Sequence, residues 1–171
     1  GHTRVRIAVV RYGNVAGSQG SVIPLWRRQA AQGEPLTLTD ERMTRFWITM
    51  PEAIRFVLQS LKDMRGGEVF IPRLAASRML DLAEAIGGAD VPLKIIGSRG
   101  GGEKLHETLL SEDESARAVA QGERFVLGPA YQSWSGSWTG QPLPPGFRWR
   151  SDEAPRMTVE ELRAMLKEVE A

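Results

Sequence analysis

The sequence predicts an α/β fold, on three observations. Short apolar runs alternate along the chain with segments whose apolar residues recur at helical spacing. Glycine and proline punctuate the boundaries between them. The composition is that of a globular protein, with 42% hydrophobic and 25% charged residues. At 171 residues the chain can build one ordinary domain with a real core, whereas two would be cramped.

The elements follow in order. Arg4 to Val10 reads as a strand feeding a glycine-containing segment. Val22, Ile23, Leu25, Trp26 and Ala30 then recur at helical spacing, with Pro24 in the first turn and Gly33 as the stop. "PLTLTD" (35–40) alternates as a strand should, and "MTRFWIT" (43–49) is a second extended piece. Thr49-x-x-Glu52 forms a capping-box pattern with Pro51 in the first turn, so a helix is predicted to about Met64. Its Ile54, Val57, Leu58 and Leu61 share one face. "EVFIP" (68–72) is a buried-strand candidate, and Ala76 to Ile86 a helix closed by Gly87 and Gly88. "LKIIG" (93–97) is another strand, "SRGGG" a loop, Glu103 to Leu110 a short helix, and "RFVLG" (124–128) a strand. The stretch 129–156 holds five of the ten prolines together with Trp134 and Trp138, and reads as irregular. Thr158-x-x-Glu161 caps a last helix, whose Val159, Leu162, Met165 and Leu166 form an apolar stripe. No internal repeat is visible.

Bulk charge excludes several function classes. With 22 basic against 21 acidic residues, the net charge of +1 gives no general attraction to nucleic acid or acidic membranes. Any bound anion must be held by a local cluster. Cysteine is absent, which removes disulfides, thiolate catalysis and zinc–thiolate sites. No signal peptide or membrane-length apolar run is present, and Gly1-His2 reads as an expression scar, so a cytoplasmic location is expected. His106 is the one histidine outside the scar, and a lone histidine suggests no metal site. Trp26, Phe46 and Trp47 read as core.

The segment "VVRYGNVAGSQGSVIP" (9–24) admits two readings. A strand precedes Gly13, Gly17 and Gly20, a helix follows, and Asp40 lies twenty residues after Gly20, as in a dinucleotide-binding turn. Against that reading, the closely paired G-x-G is missing, and Asp40-Glu41-Arg42 reads equally well as a plain turn.

Four ordered motifs carry a resemblance. "VVRYGNVAGSQGSVIPLW", "TDERMTRFWIT", "GGEVFIP" and "GEKLHE" together resemble the C-terminal half of the inverting UDP-N-acetylglucosamine 4,6-dehydratases. These are extended short-chain dehydrogenases of bacterial polysaccharide and nonulosonate biosynthesis. The likeness runs from Arg6 to about Ser151. It implies a partial extended short-chain dehydrogenase fold, in which 3–156 is the substrate-binding portion with the last Rossmann strand or strands and 157–171 is a C-terminal helix. It also places "RYGNVAGSQG" on the nucleotide-sugar side of the cleft.

Position by position, the resemblance implies that Arg45 and Arg99 hold a diphosphate, and that Asn14 touches the sugar or first phosphate. Gly20, Ser21, Val22 and Ile23 would pass the uridine, Thr37 and Thr39 would edge the base, and Glu103 would border the nucleotide. Paired guanidinium donors match phosphate oxygens, which is the chemistry such a site needs. Taken without the motif, Arg45 reads as a surface salt-bridge partner and Asn14 as an Asx turn. Arg11 reads as ordering a strand end. The family's R-P-G-E-K-L-H-E becomes "RGGGEKLHE" here, with glycine for proline and one extra residue.

The family's chemistry also needs a Y-x-x-x-K pair, and this chain has none: Tyr12 is followed four residues on by Ala16, and Tyr131 by Ser135. No catalytic residue is therefore assigned here. The cofactor half, with its NADP or NAD, is absent, so the isolated chain is expected to be an inactive piece of a lyase that binds no cofactor alone. Tyr12 and Gly13 are the residues left as cofactor contacts. Two alternatives stand beside this reading. One is a small dinucleotide-binding domain using Gly13, Gly17, Gly20 and Asp40. The other is a non-catalytic domain that self-associates, as a homo-oligomer, through surface the missing half exposes.

Overall fold

The structure, a computed structural model, describes residues 5–97, 103–129 and 138–169. It is mixed α/β with parallel strand pairs, and the chain divides into two compact units. The first comprises residues 1–12, 51–73 and 108–150, and the second residues 13–50, 74–107 and 151–171. No helix among the described residues is long and apolar enough to cross a membrane.

The first unit is built on a five-stranded sheet. β1 (Val9–Val10) pairs in parallel with β5 (Val69–Pro72). Antiparallel β10 (Arg124–Leu127), β9 (Ala118–Gln121) and β11 (Gln141–Pro142) complete the order β1-β5-β10-β9-β11. Phe70, Ile71, Phe125 and Val126 are buried on it. Helix α2 (Met50–Asp63) leads into β5 through a turn closed by Glu68, a buried carboxylate that accepts the Arg65 and Gly66 N–H groups. Two faces of this unit stay open. On β1 and the residues before it, Val5, Ile7 and Val9 are 52–71% exposed. On α2, the apolar stripe predicted for Ile54, Val57, Leu58 and Leu61 forms but faces solvent, at 38–63% exposure.

The second unit closes around a core. Helices α1 (Val22–Ala31), α3 (Met79–Gly87) and α5 (Val159–Glu168) pack with β3 (Leu36–Leu38) around Ile23, Trp26, Leu36, Leu82 and Leu162. β2 (Asn14–Val15) runs parallel to β4 (Thr44–Ile48), which pairs antiparallel with β6 (Ala76–Arg78). β3 pairs in parallel with β7 (Leu93–Ile95). The two indoles buried in this unit are satisfied, Trp26 Nε1–H donating to Thr37 O at 2.8 Å and Trp47 Nε1–H to Ser77 Oγ at 2.9 Å. The Thr158 and Glu161 capping box forms as predicted.

Three expectations need correction. Ala76–Arg78 is strand, not the first turn of α3, because its backbone pairs with Thr44–Phe46. The helix predicted over 103–110 does not form: Thr108–Leu110 is β8, paired with β12 (Trp149–Arg150), and 103–107 is irregular. The stretch 129–156 carries two strands where none was predicted, β11 and β12. The short helix α4 (Glu112–Ser115) was likewise not predicted.

Candidate functional site

The glycine segment owes its composition to packing. A Cβ on Gly13 would strike Phe46, whose carbonyl oxygen lies 2.7 Å from that position. Gly17 has φ +76° and would meet the Val169 side chain. Gly13 and Gly17 admit close neighbours and offer no open backbone for a pyrophosphate, whereas a Cβ on Gly20 would have nothing within 4 Å. Asp40 is equally occupied. Its carboxylate accepts the Arg42 backbone N–H at 2.8 Å and the Arg42 guanidinium at 2.7 and 3.0 Å, which holds it well below the usual carboxylate range, at about 2. This is a plain turn. The residues that would make a dinucleotide turn do not fit the group.

The same loop and helix nevertheless wall a cavity of about 270 Å³ in the second unit. Eight of the ten residues singled out as ligand contacts line it: Asn14, Gly20, Ser21, Val22, Thr37, Thr39, Arg45 and Glu103. Ile23 is buried in the core instead, and Arg99 falls outside the described residues. Neither Tyr12 nor Gly13 is on the wall. Strand geometry explains the gathering. β2 carries Asn14 opposite Trp47 of β4, β3 carries Thr37 with Thr39 just past its end, and α1 follows its N-cap Ser21.

Arg45 supplies the site's charge. It is 8% exposed, and its Nη1 donates to Thr44 O at 2.8 Å and Leu105 O at 3.2 Å. Nη2 and Nε come no closer than 3.7 Å to Glu103 and 3.8 Å to Glu107, and Nη2 lies 3.6 Å from Met43 Sδ. Those carboxylates balance the charge but are beyond hydrogen-bond range. Donors thus remain for an incoming anion. Glu103 is also approached by the Thr39 hydroxyl at 3.5 Å, while the Thr37 hydroxyl is engaged by Gln29. At the start of α1, Ser21 is the N-cap, yet its side chain caps nothing, and its buried Oγ has no partner among the described residues. The first N–H groups of this ten-residue helix favour negative charge. A guanidinium, an amide, a free hydroxyl and a helix start around one small cavity make a site for a polar anion with a flat apolar portion, against Leu25, Trp26 and Trp47.

Sequence reasoning missed Ser18, Met43 and Met79 on the wall, and assigned Trp26 and Trp47 to the core only. Core and wall are here the same side chains, and no pattern distinguishes them. Arg11, by contrast, orders a strand end as expected: it forms a fork with Glu114 at 2.8 and 2.9 Å and donates to Leu109 O. His106 sits on the irregular 103–107 segment rather than on a helix. Among the described residues no cluster of three or more potential metal ligands occurs.

Comparison with known proteins gives these residues a context. The chain is 37% identical over 170 residues to a UDP-N-acetylglucosamine 4,6-dehydratase (inverting) of Campylobacter jejuni subsp. jejuni serotype O:23/36 (strain 81-176), covering 94% of this chain and 50% of that protein. It is 38% identical over 124 residues to a UDP-glucose 4-epimerase of Rickettsia canadensis (strain McKiel), covering 71% and 36% respectively. An X-ray structure of Pen from Bacillus thuringiensis superposes with a TM-score of 0.83 at 30% identity, over 96% of this chain and 50% of that one. The chain thus spans about half the length of the first two of these relatives, or less. Residues 1–128 match the family model described as polysaccharide biosynthesis protein, and the chain belongs to that family.

Proposed function

We propose that the cavity of the second unit is the nucleotide-sugar site of a UDP-sugar 4,6-dehydratase-type enzyme, of which this chain supplies the substrate-binding half. The observation that carries the reading is Arg45: a buried guanidinium on the cavity wall, balanced by two carboxylates but not hydrogen-bonded by them, with donors left for a diphosphate. Asn14 and Ser21 add neutral polar contacts, and the indole-lined wall suits a pyrimidine. The relatives' names point to the same ligand class.

Binding is the whole of this chain's share. Dehydration of such a sugar proceeds by hydride removal and return, which needs a nicotinamide and a Y-x-x-x-K pair. The pair is missing from the sequence, and the glycine loop does not fit the cofactor. On this reading the chain alone is inactive and a cofactor-binding half completes it. The exposed apolar faces of β1 and α2 support this reading, since parallel strands are normally covered on both sides. They also favour a second one, self-association of the isolated chain through those faces, which concentration-dependent light scattering tests.

Titration calorimetry decides the ligand. UDP and UDP-N-acetylglucosamine should give saturable heats, and NADP none. Heat from NADP without heat from UDP overturns the assignment.

A further inference from the structure

Arg45 is held by an internal polar chain that nothing above assigns a role. Thr44, its neighbour on β4, is 3% exposed, and Ser151 is also 3% exposed. The Thr44 hydroxyl lies 2.9 Å from His106 Nδ1 and 2.6 Å from Ser151 Oγ. Ser151 Oγ also accepts the Glu107 N–H at 2.9 Å and reaches Thr44 O at 3.2 Å, while the Ser151 N–H donates to Glu107 O at 2.9 Å. On its other side, His106 Nε2 lies 3.8 Å from Asp152. The Thr44 N–H completes the stitching by donating to Leu105 O at 3.1 Å, the same carbonyl that Arg45 Nη1 uses.

These bonds fasten one short strap, residues 105–107, to β4. The strap contributes the Leu105 carbonyl and the Glu107 carboxylate to Arg45, and Glu103 just before it contributes the second carboxylate. Among the described residues, every group that fixes the guanidinium, apart from Thr44 O and Met43, is on or beside that strap. The strap lies in no helix or strand, β8 beginning only at Thr108, so its local conformation is set by these side-chain bonds together with the backbone bonds Thr44 N–H to Leu105 O and Ser151 N–H to Glu107 O. The hydrogen-bonding closes for either ring tautomer. A donating Thr44 hydroxyl satisfies Nδ1 and takes the Ser151 proton. An accepting one takes the Nδ1 proton and passes its own to Ser151, whose hydroxyl turns to Thr44 O.

We infer that His106 and Ser151, acting through the Thr44 hydroxyl, are positioning residues that set the Arg45 guanidinium at the cavity wall. They touch no ligand themselves. The inference deepens the nucleotide-sugar reading and rests on it only for the identity of the ligand that Arg45 meets. Removing the Thr44 hydroxyl leaves His106 Nδ1 without this partner and takes one of three from Ser151 Oγ, so the strap must shift. A displacement of about 1 Å in a positioning group is enough to weaken binding by about tenfold.

The test follows Arg45 directly, by the side-chain Nε–Hε resonance in ¹⁵N NMR, identified by its loss in Arg45→Lys. In the unsubstituted chain the resonance should be dispersed and slow to exchange. Thr44→Val and His106→Ala should move it toward the solvent-exposed arginines and weaken UDP binding by about tenfold in calorimetry. His106→Asn, which can replace the Nδ1 contact, should restore both, and that rescue is not expected if the histidine only fills space. Ser151→Ala and His106→Ala keep the test available if Thr44→Val does not fold. An Arg45 resonance unchanged in His106→Ala and Ser151→Ala overturns the inference. If UDP does not bind the unsubstituted chain but the resonance behaves as stated, the nucleotide-sugar reading fails and the positioning role stands.

Discussion

Helices α2 and α5 are both amphipathic, and they end in opposite environments. On α5 the stripe of Leu162, Met165 and Leu166 is at most 7% exposed and completes the core of the second unit. On α2 the stripe of Ile54, Val57, Leu58 and Leu61 is 38–63% exposed, and the same helix buries only Ala53 and Ser60. An apolar stripe states that a face favours burial, but it does not say against what. For α5 the answer lies within the chain. For α2 no described residue covers the stripe, and the relatives that run to twice this length are where we look for its cover.

The largest test of that contrast is energetic. Leu162→Ala should destabilise the chain by about 2–5 kcal/mol in urea unfolding, because a fully buried leucine leaves a cavity. Leu61→Ala, at 63% exposure, should stay within about 0.5 kcal/mol. A Leu61 effect as large as that of Leu162 would show that α2 is already covered in solution, for instance by a second copy.

A smaller effect divides two glycines of one loop. Gly17 and Gly20 both have positive φ, +76° and +74°, but only Gly17 abuts a side chain, that of Val169. Gly20→Ala should cost about 1 kcal/mol for its backbone conformation alone, and Gly17→Ala clearly more. Equal melting-temperature losses would mean that the end of α5 does not pack on the loop.

The smallest effect depends on pH and concerns the two arginines that sequence reasoning treated differently. Arg11 is committed to Glu114, and that pairing, reinforced by the Ser111 N–H, lowers the Glu114 carboxyl from 4.5 to about 2. A lowered folded-state value means that the stabilisation is complete above about pH 4.5 and is lost as pH falls toward 2. Glu114→Gln should lower stability at neutral pH and flatten that acid limb, so that the two proteins converge as pH falls toward 2. An unaltered acid limb would remove Arg11–Glu114 as its cause.

How much was legible follows from the range of the interactions involved. Local signals held: the Thr158 and Glu161 box, the Gly33 stop and Pro24 in the first turn all act within a few residues, and the helices formed where they pointed. Ala76–Arg78 and Thr108–Leu110 were misread because their partners lie 30 or more residues away, on β4 and β12, and pairing overrides local spacing. The site divides in the same way. Composition could not separate Arg45 from any surface arginine, and the glycine spacing pointed to a cofactor turn that packing against Phe46 and Val169 explains instead. Only the ordered motifs placed Asn14, Ser21, Thr37, Thr39, Arg45 and Glu103 together. Thr44, His106 and Ser151 left no joint signal, since what unites them is a fold contact across 107 residues.

The most direct test of the central claim is to map UDP onto the chain by amide and arginine side-chain chemical shifts. The account predicts saturable shifts at Asn14, Ser21, Thr39, Glu103 and the Arg45 guanidinium, with the β9–β10 hairpin unmoved. Saturating UDP that leaves Arg45 and Ser21 unshifted would contradict it.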